Sequence, residues 1–82
     1  MKVVIAVGPP IKQSTGEWTC EVEAAGLFER LPAARGVDAL QAVVMALSLL
    51  RTLLAAEVER GAHLCWPGGE SISLGELFGR VG

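Results

Sequence analysis

The sequence predicts one α+β domain over residues 1–82, a small antiparallel sheet in ββαβ order with one long helix on one face. Three observations predict it. Two strand-like segments come first, one long apolar segment with helical spacing follows, and a third strand-like segment comes after a glycine. A chain of 82 residues has room for one modest hydrophobic core.

The first two strand segments predict different surroundings. Residues 2–7 read KVVIAV, apolar on both faces, which is typical of a strand covered on both sides or of an inner strand. Residues 17–23 read EWTCEVE, and their alternation turns Trp18, Cys20 and Val22 towards a core and the glutamates towards solvent. We expect the two segments to pair as a hairpin.

The long helix has clear start and stop signals. Asp38 is placed as its N-cap, and Gln41 follows three residues later, the spacing of a capping box. Gly61 is the expected C-terminal stop, so the helix is predicted over residues 39–60.

The remaining segments carry weaker signals. Residues 24–36 are expected to form an irregular loop, because proline and glycine interrupt them. Residues 62–66 alternate as a third strand, and residues 70–72 could add a short fourth one. Residues 73–78 begin with a second capping box and predict a short terminal helix.

The helix is apolar around more of its circumference than one sheet can cover. The face with the larger aliphatic side chains is expected to lie on the sheet, and it consists of Leu40, Val43, Val44, Leu47, Leu50, Leu54 and Val58. The face richer in alanine is the candidate self-association face, and it consists of Ala42, Met45, Ala46, Leu49, Leu53 and Ala56. Since exposed apolar patches mark interfaces, we expect a homodimer. The alternative is that residues 24–36 fold over the second face within one chain.

Charge disfavours two classes of partner. The formal net charge is −2, and the seven basic residues are scattered, so neither nucleic acid nor an anionic membrane surface is an expected partner. The longest weakly charged run, residues 39–56, is interrupted by Arg51 and falls short of a membrane span. Residues 3–7 are too short for the apolar part of a signal peptide, which favours a cytoplasmic protein.

The residues that carry chemistry do not form a recognisable constellation. A catalytic triad would need His63 and Asp38, and Asp38 is already explained as a cap. Cys20, His63 and Cys65 are one short of the four ligands of structural zinc, and both cysteines read as reduced and buried. We therefore expect no catalytic residue, no metal site and no cofactor. A small-ligand or metal pocket near His63, Cys65 and Trp66 stays open as the alternative.

Three short motifs support a resemblance. Trp18-x-Cys20 on an early strand, GVDALQA over residues 36–42 at the start of the helix, and Cys65-Trp66 after it resemble a family of small uncharacterised bacterial proteins, a domain of unknown function. That resemblance covers residues 18–66 and implies the fold but no activity. In element order the chain also resembles HicB-type antitoxin domains, without their DNA-binding extension. The predicted function is a non-catalytic interaction module, immunity- or antitoxin-like by analogy.

Overall fold

The computed structural model describes residues 3–78 and contains two compact units, Met1–Leu50 and Arg51–Gly82. The strands are β1 Val4–Val7, β2 Ile11–Lys12, β3 Trp18–Cys20, β4 Val22–Ala25 and β5 Ala34–Gly36, and the helices are α1 Ala39–Glu59 and α2 Leu74–Phe78. Short antiparallel sheets with one long helix confirm the α+β class. Helix α1 begins in the first unit and ends in the second.

The first unit is built on the expected hairpin, which forms as two short ladders. β1 pairs antiparallel with β4, and β2 pairs antiparallel with β3. The two prolines that follow Gly8 have no N–H to donate, so regular pairing stops there. The N–H of Gly8 bridges the interruption, because it donates to the carbonyl of Glu21 at 2.8 Å.

Strand β1 lies at a sheet edge, so the prediction of a strand covered on both sides is wrong. Among the described residues it pairs with β4 alone. Val4 and Ile5, which point to opposite faces, are both exposed. β-branched composition predicts a strand, but the position of that strand depends on where the next strand is added. Here the third strand is added beside β3.

That third strand is β5, within the segment expected to be a loop. Trp18 lies opposite Gly36, and Cys20 lies opposite Ala34. The loop prediction for residues 24–36 is therefore wrong at both ends, since β4 runs to Ala25. Ala-Arg-Gly has no apolar alternation, so β5 is a strand only because β3 offers it backbone partners.

The core of the first unit consists mainly of small side chains. Its buried apolar residues are Cys20, Val22, Ala24, Ala34, Ala42, Ala46 and Leu50. The alternation predicted for residues 17–23 is confirmed at Cys20 and Val22, while Glu21 and Glu23 are exposed.

The start of α1 lies very close to the end of β5. A Cβ atom built on Gly36 would be 2.5 Å from the backbone nitrogen of Ala42, a distance that real side chains do not adopt. Two hydrogen bonds cap the same helical turn. The N–H of Gln41 donates to Asp38 Oδ1 at 2.7 Å, and the N–H of Val37 donates to Gln41 Oε1 at 2.7 Å. Glycine is therefore required at position 36 to let the capped first turn meet the sheet.

This close approach places the alanine-rich face of α1 inwards, contrary to the sequence prediction. Ala42 and Ala46 are fully buried, whereas Met45 is exposed and the other members of that face are half-buried. The face expected on the sheet is divided, because Leu40, Val44, Leu47 and Val58 are exposed whereas Leu50 and Leu54 are buried. Only small side chains fit between backbones this close. The candidate self-association face is therefore centred on core residues, and Ala34, from the segment expected to cover it, belongs to the same core.

Helix α1 ends within one residue of the prediction. Gly61 has a φ of 99°, and the N–H of Ala62 donates to the carbonyl of Glu57 at 3.0 Å. This is the left-handed glycine stop that the sequence indicates.

The second unit has no regular strand over residues 62–66, so that part of the expected order is wrong. A single bridge joins Cys65 to Ser71. A tight turn follows, in which the N–H of Trp66 donates to the carbonyl of Glu70 at 2.8 Å. The turn reverses the chain before a ladder can extend. The expected terminal helix is present as α2, and the N–H of Glu76 donates to Ser73 Oγ at 3.1 Å.

We predict that Gly36→Ala lowers the free energy of unfolding by about 1–3 kcal/mol, because the added methyl forces β5 and α1 apart. Gly68→Ala is the matched control, since a Cβ there meets nothing within 4 Å. Urea denaturation measures both variants. Equal stability of the two would show that the close approach imposes no constraint.

Candidate functional site

The most unusual surface of the protein is a row of aliphatic side chains on the outside of α1. Val37 is 78% exposed, Leu40 74%, Val44 53% and Leu47 42%. We call Val37, Leu40, Val44 and Leu47 the outer seam. All four belong to the first unit.

The spacing within the outer seam is that of a helix–helix contact. Leu40, Val44 and Leu47 are separated by four and then three residues, so they lie on one line along the helix. Leucine and a β-branched residue alternate along it, as at the d and a positions of two-stranded coiled coils. The same spacing reaches Arg51, which is exposed. The line is then interrupted, because Leu54 is buried.

Polar side chains flank the outer seam on one side. Gln41, Ser48 and Thr52 are all exposed and lie roughly a quarter turn away around the helix. Met45 lies beyond them, also exposed but off the line. The exposed side of α1 is therefore amphipathic, with a narrow apolar line beside a polar stripe.

The outer seam is held rigidly at its N-terminal end. Leu40 lies in the first helical turn, which the hydrogen bonds of Asp38 and Gln41 close. The contact at Gly36 fixes the same turn against β5. A partner that binds here meets a first turn whose backbone is already fixed, and this lowers the entropic cost of binding.

By length and composition, α1 is the one helix among residues 3–78 that could cross a membrane. The sequence run of residues 39–56 reads as too short, but the helix extends over 21 residues. Only 22% of its most apolar stretch is buried. Most of this apolar stretch therefore lies outside the core.

The predicted ligand residues do not converge on one pocket. His63 lines a pocket of about 280 Å³ in the second unit, among largely apolar neighbours that include Val58 and Ile72. Neither Cys65 nor Trp66 lines it, and both are exposed. The pocket is slightly smaller than those that usually hold small ligands. Of the three residues predicted for a ligand site, His63 alone lines this pocket.

The two cysteines differ, although the sequence predicts both to be buried. Cys20 has no exposed surface, and its Sγ donates to the carbonyl of Gly8 at 3.1 Å. Cys65 is exposed, because the strand expected to contain it is reduced to a single bridge. No three metal-binding side chains gather anywhere in residues 3–78.

Another pocket lies beside the paired strands β1 and β4. It has a volume of about 400 Å³ and is lined by residues of 28–33 together with Glu21 and Glu23. Arg30 is the one basic residue in its lining. Exposed glutamates on a strand are a solvated face, as the alternation indicates, and nothing in this geometry prepares them for acid–base chemistry.

The main element that sequence reasoning missed is the outer seam itself. Val37 lies before the helix, so a helical wheel omits it. The signal that could have revealed the seam is Gly36, which comes six residues before Ala42, an alanine small enough to be buried beside it. A glycine at the end of a strand predicts close backbone approach, and that approach selects the small face of the helix for the core.

A comparison with known protein families gives one match. The sequence model of a family described as a domain of unknown function, DUF6968, matches residues 1–76. No curated protein and no solved structure matches the chain. The resemblance drawn from the three short motifs is thus confirmed at the level of an uncharacterised domain family.

We predict that one thiol per chain reacts rapidly with an aromatic disulfide reagent in the native protein and that the second reacts only on unfolding. Cys65 is exposed, whereas Cys20 is buried and hydrogen-bonded. The rapid phase should vanish in Cys65→Ser. Two equally rapid thiols in the parent protein would contradict the burial of Cys20.

Proposed function

The chain belongs to the DUF6968 family, and from that premise we propose that it is a non-catalytic, cytoplasmic interaction module that self-associates through the outer seam. The family description assigns no activity, so the support comes from the surface of this chain. The observation that carries the proposal is the row of exposed aliphatic side chains on a helix whose first turn is fixed.

A second copy of the chain suits the outer seam because the seam is self-complementary. Residues 39–50 contain no charged side chain, so two seams can meet without burying an unpaired charge. Leucine and valine at helix-contact spacing are the residues that pack between two helices. A two-fold axis places the same patch on both sides of the contact, as most homodimers do.

The expected affinity is modest. Four partly exposed aliphatic side chains from each copy contribute on the order of 10 kcal/mol when covered. Association costs about 4–15 kcal/mol in lost freedom of motion. The two terms nearly balance, so the proposed dimer should dissociate on dilution.

We predict that Val44→Glu abolishes self-association without unfolding the chain. Val44 is exposed, so the fold tolerates the charge, whereas two facing glutamates repel each other in the dimer. Light scattering over a range of concentrations measures the mass, and circular dichroism checks the helix content.

Met45→Glu is the matched control. Met45 is exposed to nearly the same degree, 49% against 53%, on the same helix but off the seam. It should leave the concentration dependence unchanged. A parent protein that stays monomeric at every concentration would refute the proposal, as would a loss of association in both variants.

A further inference from the structure

We propose that the pocket beside β1 and β4 binds an extended segment of another protein that carries lysine or arginine and adds as a strand to the open edge of β4. All the residues that line this pocket belong to the first unit. None of the four residues of the outer seam is among them, so the site is independent of the proposed self-association. Its volume of about 400 Å³ lies within the range of ligand-binding pockets, about 300–1,000 Å³.

The backbone of β4 is paired along one edge and open along the other. The N–H of Gly8 donates to the carbonyl of Glu21, and hydrogen-bonded pairs alternate along an antiparallel ladder. Val22 and Ala24 therefore turn their backbone groups away from β1. The carbonyl of Ala24 accepts two N–H groups from the turn that follows, at 3.0 and 3.1 Å. Across residues 3–78, no hydrogen bond reaches the N–H or carbonyl of Val22 or the N–H of Ala24.

Pro32 explains why the chain itself leaves this edge open. β5 pairs along the same edge further back, where Cys20 lies opposite Ala34. Two residues further on, this register would place Pro32 opposite Val22. A hydrogen-bonded pair at that position needs an N–H from residue 32, and proline has none. The ladder therefore ends at Ala34, and the residues that lead into β5 line the pocket instead.

The charges around the pocket favour a basic occupant. Its lining includes three exposed glutamates and one basic residue, Arg30. Two of the glutamates, Glu21 and Glu23, lie on the solvent face of the strand and flank Val22, which points to the buried face. An added strand that pairs with Val22 places its neighbouring side chains opposite those two glutamates. The expected occupant therefore has a small apolar residue between two basic ones.

A second copy of this chain does not offer such a segment. Two side chains on the same face of a regular strand are two residues apart. The seven basic residues of the sequence are never that close, and the nearest two, Arg30 and Arg35, are five positions apart. The occupant that fits the pocket is therefore a different protein.

The test uses a fluorescently labelled pentapeptide, Thr-Lys-Val-Lys-Thr, titrated with the full chain and followed by anisotropy at low salt. Glu23→Lys should weaken binding about fivefold or more, because it replaces an attracting charge opposite one lysine with a repelling one. Glu70→Lys is the matched control, since Glu70 is an exposed glutamate outside the pocket, and it should leave the affinity unchanged. The same peptide with an N-methyl group on its valine should bind about tenfold more weakly, because it lacks the N–H that donates to the carbonyl of Val22.

Hydrogen exchange gives a second readout, which reports on the backbone alone. The amides of Val22 and Ala24 should exchange about tenfold more slowly when the peptide is present at about ten times its dissociation constant. The amide of Glu23, which already faces β1, should change little.

Each other result would overturn the proposed strand addition. Equal binding of the N-methylated peptide, equal weakening in the two glutamate variants, or no binding at millimolar peptide would each do so. Protection of Val22 and Ala24 in the protein alone, increasing with protein concentration, would also overturn it and identify a second copy as the occupant. A chain that binds the peptide but stays monomeric at every concentration would refute only the proposed self-association.

Discussion

The arrangement of the first unit depends on the close approach between the end of β5 and the first turn of α1. Gly36 and the backbone of Ala42 come so near that no side chain fits at position 36. Small side chains accompany this close approach, since Ala34, Ala42 and Ala46 are all buried, and the larger Leu50 is buried further along the helix.

A core built from alanine has an energetic consequence. Alanine buries little apolar surface, so each position contributes less to stability than leucine or valine would. Leu40, Val44 and Leu47 of α1 are left on the outside, where they stay in contact with water. A chain of this size has little stability to spare. A second copy that covered the outer seam would bury additional apolar surface, which the small side chains of the core do not supply.

The outer seam also explains why α1 satisfies the simple criteria for a membrane span. Its inner face is alanine-rich and its outer line is leucine and valine, so the average composition is apolar. Composition averages over faces, whereas a bilayer surrounds every face of a spanning helix. Arg51 and the polar stripe break the apolar circumference of α1.

Sequence by itself determined the features that depend on neighbouring residues. The Asp38 cap, the Gly61 stop, the alternation at Cys20 and Val22, and therefore the α+β class, follow from local hydrogen bonding and periodicity. The orientation of α1, the edge position of β1, the existence of β5 and the exposure of Cys65 were decided only in the tertiary structure. Helical spacing shows that two apolar faces exist. Which face is buried depends on how near the backbones come, and in this protein a glycine brings them close enough at the start of α1 to bury Ala42 and Ala46 and to leave Leu40 and Leu47 exposed.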